Sequence, residues 1–214
     1  DYARQILRLH HEVFDHFQNP ELNGDLNFGI PEDFASIFLQ DVLTEFTQMH
    51  PKVSLHIDCD FSANLYKKFQ ENELDLVLIK TRKSKEISGS FELTSEKLMW
   101  FGDGNLVKKG ESIPLILSPD PCICRELVIE ALDSMNLKWH IAFSSHSYAG
   151  KLAATKAGIG VTAMPNSMAL SQLNKVKLDI LPELSSIYIS LLKRKDLKNK
   201  AISSFEEFII KHIG

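Results

Sequence analysis

The chain has 214 residues, 44% hydrophobic and 24% charged, with a formal net charge of −4 and a pI near 6.1. That balance excludes a chain that grips nucleic acid by itself, because phosphate binding needs a basic face that shows in the totals. The length lies between one large domain and two small ones, and two lobes are expected.

Three cysteines, Cys59, Cys122 and Cys124, form an odd set with two of them only two apart, which argues against a disulfide framework and for a reducing compartment. No apolar run approaches the ~18 residues of a membrane span, and Asp1 stands in a helical pattern rather than a signal peptide. A cytoplasmic chain cut from something longer is the expectation. In the opening stretch Ala3, Ile6, His10, Val13 and Phe17 recur in steps of three and four, widened by Leu7 and Phe14. A coiled-coil-like seam and an ordinary helix packed on its own domain both fit this spacing. Asn19, Pro20 and Gly24 then mark a linker.

From Gly24 strands and helices alternate. "DLNFGI" predicts a strand, and Pro31 fits the first turn of a helix whose apolar face is Phe34, Ile37, Phe38, Val42, Leu43 and Phe46. "VSLHIDC" predicts a strand, "SANLYKKFQEN" a helix capped by Asp60 or Ser62, and "LDLVLIK" a strand buried on both faces. "SFELTSEKLMWFGDGN" predicts one or two strands and a turn. The second half repeats the plan: "IPLILSP" is a strand and "DPCICRELVIEALDSMN" a helix with Asp120 as cap and Pro121 at its first position. "WHIAFSS" is the next strand, and "HSYAGKLAATKAG" a helix closed by a left-handed Gly158. "IGVTAMP", "VKLDIL" and "SIYISLLK" follow as strands, and the last segment is an amphipathic helix with Ile202, Phe205, Phe208, Ile209 and Ile213 on one face. Alternation of this kind implies α/β lobes with parallel crossovers and a cleft between them.

Catalytic signatures are missing. There is no Gly-x-Ser-x-Gly elbow, His-Glu-x-x-His or Walker loop. "GIGVTA", Gly158 to Ala163, fits the loose dinucleotide fingerprint but runs from helix to strand, the reverse of the order that places pyrophosphate on a helix N-terminus. Cys122 and Cys124 are too close for a zinc knuckle, and no metal or cofactor is expected. As thiols in the first turn of a helix beside Arg125 they suit redox chemistry as well as plain packing. His10 and His11 are adjacent and point apart on a helix, so they read as seam or surface.

The blocks "GDLNFGIPEDFASIFLQDVLTEFTQMHPKVSLHIDCDFSANLYKKFQENELDLVLI" and "SSHSYAGKLAATKAGIGVTAMP", in this order, resemble the effector-binding domain of LysR-type transcriptional regulators. "GIPEDF", "ENELDLVLI" and the segment from Asp120 to Thr162 are most similar to the branch containing LrhA, HexA and PecT. The resemblance spans nearly the whole chain. It implies two Rossmann-like lobes of the type 2 periplasmic-binding-protein kind preceded by a linker helix. Residues 1–18 are then the end of a dimerising helix, 24–100 and 194–214 lobe I, and 101–193 lobe II. The winged helix-turn-helix that reads DNA is absent from this chain. The implied partners are a small-molecule effector and further copies of the chain, a homodimer and in full-length form a homotetramer. The implied effector site takes Ile30, Pro31, Glu32, Asp33, Ser62, Phe101 and Gly102 from the first lobe and crossover. From the second it takes Ser118, Asp120, Cys122, Ser145, His146 and Ser147. A solute-binding protein is the alternative on the same fold, and an enzyme a third reading without a nucleophile-base pair.

Glu32 and Asp33 set the chemistry expected there. A bare helix N-terminus attracts anions, but these two side chains already supply negative charge, worth ~0.3–1 kcal/mol each to the helix. A neutral or cationic effector, or none, is expected.

Overall fold

The computed structural model describes residues 22–169, 173–196 and 199–213. The helix expected over residues 1–18 lies outside them. The first half runs β1 (Gly24–Pro31), α1 (Glu32–Met49), β2 (Val53–Asp60), α2 (Ser62–Gln70), β3 (Leu76–Thr81) and β4 (Phe91–Phe101). The second runs β5 (Ile113–Leu117), α3 (Ile123–Ser134), β6 (Trp139–Ser144), α4 (Tyr148–Lys156) and β7 (Thr162–Pro165). The chain then returns as β8 (Ser186–Lys193) and ends in α5 (Lys200–Ile213).

The main sheet has the order β2-β1-β3-β8-β4-β7. β1 is parallel to β2 and β3, as strands joined by helical crossovers must be. β3 is buried at every position, which is why "LVLIKT" carries no alternation. β8, which the resemblance places in the second lobe, pairs antiparallel with β3 and β4 inside this sheet. β4 is one continuous strand: Phe91 to Lys97 pair with β8, and Leu98 to Phe101 pair with β7. It thereby carries the chain from one half to the other. β5 and β6 are parallel, and a bridge from Leu115 to Val161 joins them to the β7 end, so the sheet curls around rather than stopping.

The helices pack by the faces the sequence shows. Phe28 of β1, Phe46 of α1 and Phe205 of α5 meet edge to face, with centroids 5.1 Å and 4.7 Å apart on either side of Phe205. Ile202, Phe205, Phe208 and Ile209 are all buried.

Several local expectations give way. Pro31 sits outside α1 as the residue before its first turn, closing β1. Neither Asp60 nor Ser62 caps α2: Phe61 holds the cap position, Asp60 accepts from the Phe61 N–H and from Asn64, and Ser62 Oγ accepts from the Lys80 N–H. α3 begins at Ile123 with Cys122 at the cap position, so Asp120 and Pro121 precede the helix, and Asp120 pairs with Arg125 at the surface. "VKLDIL" forms no strand; the isolated bridge to Phe101 is made by Lys175, just before it. In each case tertiary pairing outweighs the local signal.

The glycines of "GIGVTA" serve packing. Gly158 adopts φ +70° after α4 and closes it. A Cβ on Gly160 would stand 2.6 Å from the Pro114 carbonyl oxygen, so only glycine lets this segment reach β5. Gly158→Ala is expected to cost about 1 kcal/mol, read as a lower denaturant midpoint at unchanged slope.

Candidate functional site

A cavity of about 250 Å³ opens between the two halves, lined from below by the ends of β1, β2 and β3 and from above by the N-termini of α3 and α4. Every crossover strand ends here, which is where an open α/β sheet presents its loops to a ligand. Phe61, Tyr66, Ile79, Ile87 and Ile123 give it apolar walls.

Its floor is charged. Lys80, next to last in β3, has a side chain only 5% exposed, and its Nζ lies 2.5 Å from the Asp33 carboxylate of α1. Asp33 Oδ1 also accepts from the Phe34 N–H, and the ammonium stands 6.0 Å from the Phe34 ring centroid. Burial pushes the Asp33 carboxyl up, but Lys80, Lys151 and these hydrogen bonds outweigh it and the group titrates below its ordinary value. Burial lowers Lys80 in turn, and Asp33 more than restores it, so its pKa is raised. Both groups are therefore ionised at neutral pH.

Glu32 works in the other direction. Its carboxylate reaches across the cavity and accepts from the Tyr148 N–H at the start of α4, 2.9 Å from Oε2. One carboxylate thus complements two helix N-termini, its own and that of α4. The halves also meet where the rings of Phe61 and His146 stack with centroids 5.0 Å apart, and where Arg82, just past β3, meets Glu130 of α3 at 2.5 Å.

On the α3 side Lys151 donates to Ser118 Oγ at 2.7 Å. Cys122 and Cys124 both line the cavity, and Cys124 is buried. The neighbouring Cys124 thiol, Lys151, the Arg125 N–H and Lys80 together outweigh desolvation and lower the Cys122 pKa to about 6, while Cys124 beside it is pushed up. Cys59 faces away on β2, where burial, Asp58 and Glu32 raise its pKa.

The residues expected at the site divide cleanly. Pro31, Glu32, Asp33, Ser62, Ser118, Cys122 and His146 line the cavity. Ile30 is buried beneath it in the core. Phe101 is buried between β7 and Lys175, and Gly102 packs against the Gly160 carbonyl and lines a different groove beside residues 155–158 and 173–178. Asp120 points to solvent with Arg125. Ser145 accepts from the Ser147 N–H, and Ser147 caps α4 by accepting from the Gly150 N–H. Ser147→Ala is expected to cost about 1 kcal/mol, measured by thermal unfolding, without altering the cavity walls. Lys80, Arg82, Phe61, Tyr66, Cys124 and Lys151 complete the cavity and are missing from the expected set. For Lys80 a signal exists: a lysine ending a wholly apolar strand has to find an anion.

Residues 19–214 match the model of the LysR substrate binding domain. The chain belongs to this family. It is 27% identical over 212 residues to the HTH-type transcriptional regulator DgdR of Burkholderia cepacia, covering 97% of this chain and 71% of that protein. It is 26% identical over 217 residues to the HTH-type transcriptional regulator PecT of Dickeya dadantii, covering 99% and 68%. The regulatory domain of CcmR from Synechocystis PCC6803, solved in complex with 2-PG, shares the fold with a TM-score of 0.71 at 16% identity, covering 89% of this chain and 98% of that one. The LysR-type assignment and the α/β fold of the periplasmic-binding-protein kind are thus established, and the family is one of transcriptional regulators, not enzymes. No helix among the described residues is long and apolar enough to cross a membrane.

Proposed function

We propose that this chain is the sensing and oligomerisation module of a LysR-type regulator, taking a small neutral or cationic effector into the cavity between its lobes. The Glu32 carboxylate on the Tyr148 N–H carries this reading. It fills the anion position at the start of α4 with a side chain of the opposite lobe, just as Asp33 neutralises Lys80. What remains for a ligand is an apolar slot with stacked Phe61 and His146 at its side. An effector that wedges against these rings changes the separation of the lobes, and only its differential affinity for the two separations moves the equilibrium. In this reading DNA contact belongs to a winged helix-turn-helix of the full-length protein. Self-association into dimers and tetramers transmits the lobe movement to it in the cytoplasm. The lobes divide within β4 and again before β8, with Pro31, Glu32, Asp33, Ser62, Ser118, Cys122 and His146 as the ligand-facing set.

The test is a thermal screen of small organic compounds against the chain and its Ala63→Trp variant. Ala63 lines the cavity from an exposed position on α2, and an indole there is expected to crowd the slot. A compound present at a hundred times its Kd adds about 2.7 kcal/mol of stability. That gain is expected to vanish in Ala63→Trp. Equal stabilisation of both proteins would place the ligand elsewhere.

A further inference from the structure

Two thiols and a lysine line the same cavity, and the sensing described above gives none of them a chemical role. Cys122 stands at the N-terminus of the twelve-residue α3, with Cys124 one position into its first turn, and both face the cavity. Lys151 reaches the same wall from α4, held by Ser118 Oγ, and forms no ion pair among the described residues. The charged groups facing this corner are otherwise committed: Asp33 to Lys80, Glu32 to the Tyr148 N–H, and Arg82 to Glu130 with Glu126 beside it. Asp60 accepts from its neighbours on α2, the Glu86 carboxylate accepts from the Arg82 N–H, and His146 stacks on Phe61. A sulfur, an ammonium held by Ser118 and apolar walls therefore converge in a space large enough for an organic molecule.

We propose that Cys122 is a covalent attachment site for a small neutral α,β-unsaturated carbonyl compound held in this cavity. The sulfur, ionised near neutral pH with its proton released to solvent, attacks the β-carbon. A C–S bond forms, the alkene π pair moves onto the carbonyl oxygen, and the Lys151 ammonium stabilises the resulting enolate. A proton from water then returns to the α-carbon, so the whole compound is retained as a thioether and nothing leaves. Cys124 acts through Cys122, its S–H supporting the thiolate, and is a positioning residue. The apolar walls hold the carbon skeleton. This proposal rests on the cavity being the ligand site.

The experiment uses 2-cyclohexen-1-one on the full chain carrying Cys59→Ser, with peptide mass mapping and rates across pH. One adduct at Cys122 is expected, forming at a rate that saturates with enone concentration because binding precedes bond formation. At pH 6 the reaction should run roughly tenfold faster than glutathione, the larger thiolate fraction outweighing the lower intrinsic nucleophilicity of a more acidic thiol. Lys151→Met should slow it several-fold, raise the pH midpoint and leave the fold intact by circular dichroism. Cys124→Ser should raise the midpoint while Cys122 still reacts. An adduct on Cys124, or a Cys122 rate that neither saturates nor exceeds that of glutathione, would overturn the proposal. If Ala63→Trp abolishes reversible ligand binding while the unaltered cavity goes unlabelled, the covalent step fails alone. If labelling is fast in Ala63→Trp as well, the cavity does not hold the enone and the sensing assignment fails with it.

Discussion

Lys80→Met is expected to destabilise the domain by about 3–5 kcal/mol, because it strands the Asp33 carboxylate in a buried site. Lys80 is 5% and Asp33 19% exposed, so solvent screens the pair little. Asp33→Asn should cost a comparable amount by leaving the ammonium unpaired, whereas the double variant Asp33→Asn with Lys80→Met should recover most of the loss. Urea unfolding of the four proteins measures the coupling directly. The pH dependence follows from the two directions of shift. Asp33 titrates below its ordinary value, so its contribution is full above about pH 4 and is lost as pH falls through the lower folded value. Lys80 is raised, so its contribution is full below about pH 10 and is lost as pH rises through the folded value. Stability from this pair is thus flat across the neutral range, and the acid limb disappears in the double variant. A double variant as unstable as either single one would show that the two groups do not act as a pair.

Glu32→Ala is the second large effect, with an expected loss of about 1.5–3 kcal/mol for a hydrogen bond to a charged group. Its signature differs from that of Lys80→Met, because the bond joins the halves rather than one core. Removing it frees the N-terminus of α4, which then becomes an anion site with the backbone N–H and the helix dipole in place. Sulfate should therefore stabilise Glu32→Ala measurably more than the unaltered chain. Glu32→Gln should sit between them, keeping an acceptor for the Tyr148 N–H without the charge. If sulfate stabilises all three equally, the carboxylate does not guard the helix.

Glu32 and Asp33 also show how far the sequence reaches. Their charge at a strand-to-helix junction is visible in "GIPEDF", and with it the expectation that this helix end repels anions. Their partners are invisible there: Lys80 lies 47 residues from Asp33 and Tyr148 lies 116 from Glu32, so both contacts exist only once the sheet has formed. The order of strands and helices is legible because apolar periodicity is local, as at Phe34, Val42 and Phe46, or at Phe205 and Ile209. The position of β8 is not, since "SIYISLLK" reads as a strand without saying which neighbours it takes. The caps of α2 and α3 mislead for a related reason. Ser62 and Asp120 are typical capping residues, but Ser62 is taken by the Lys80 N–H and Asp120 by Arg125. Phe101 and Gly102 stand at the crossover in sequence, yet β4 turns there onto β7 and carries them away from the cavity.

The measurement that bears most directly on the central claim is a fragment screen read by backbone amide chemical shifts, with neutral, cationic and anionic compounds in equal numbers. The account predicts that neutral and cationic compounds dominate the hits and perturb amides of Glu32, Asp33, Phe61, Ser62, Cys122 and His146 together, from both lobes at once. Hits dominated by anions, or shifts gathered at Gly102, Lys175 and Lys177 with the cavity silent, would contradict it.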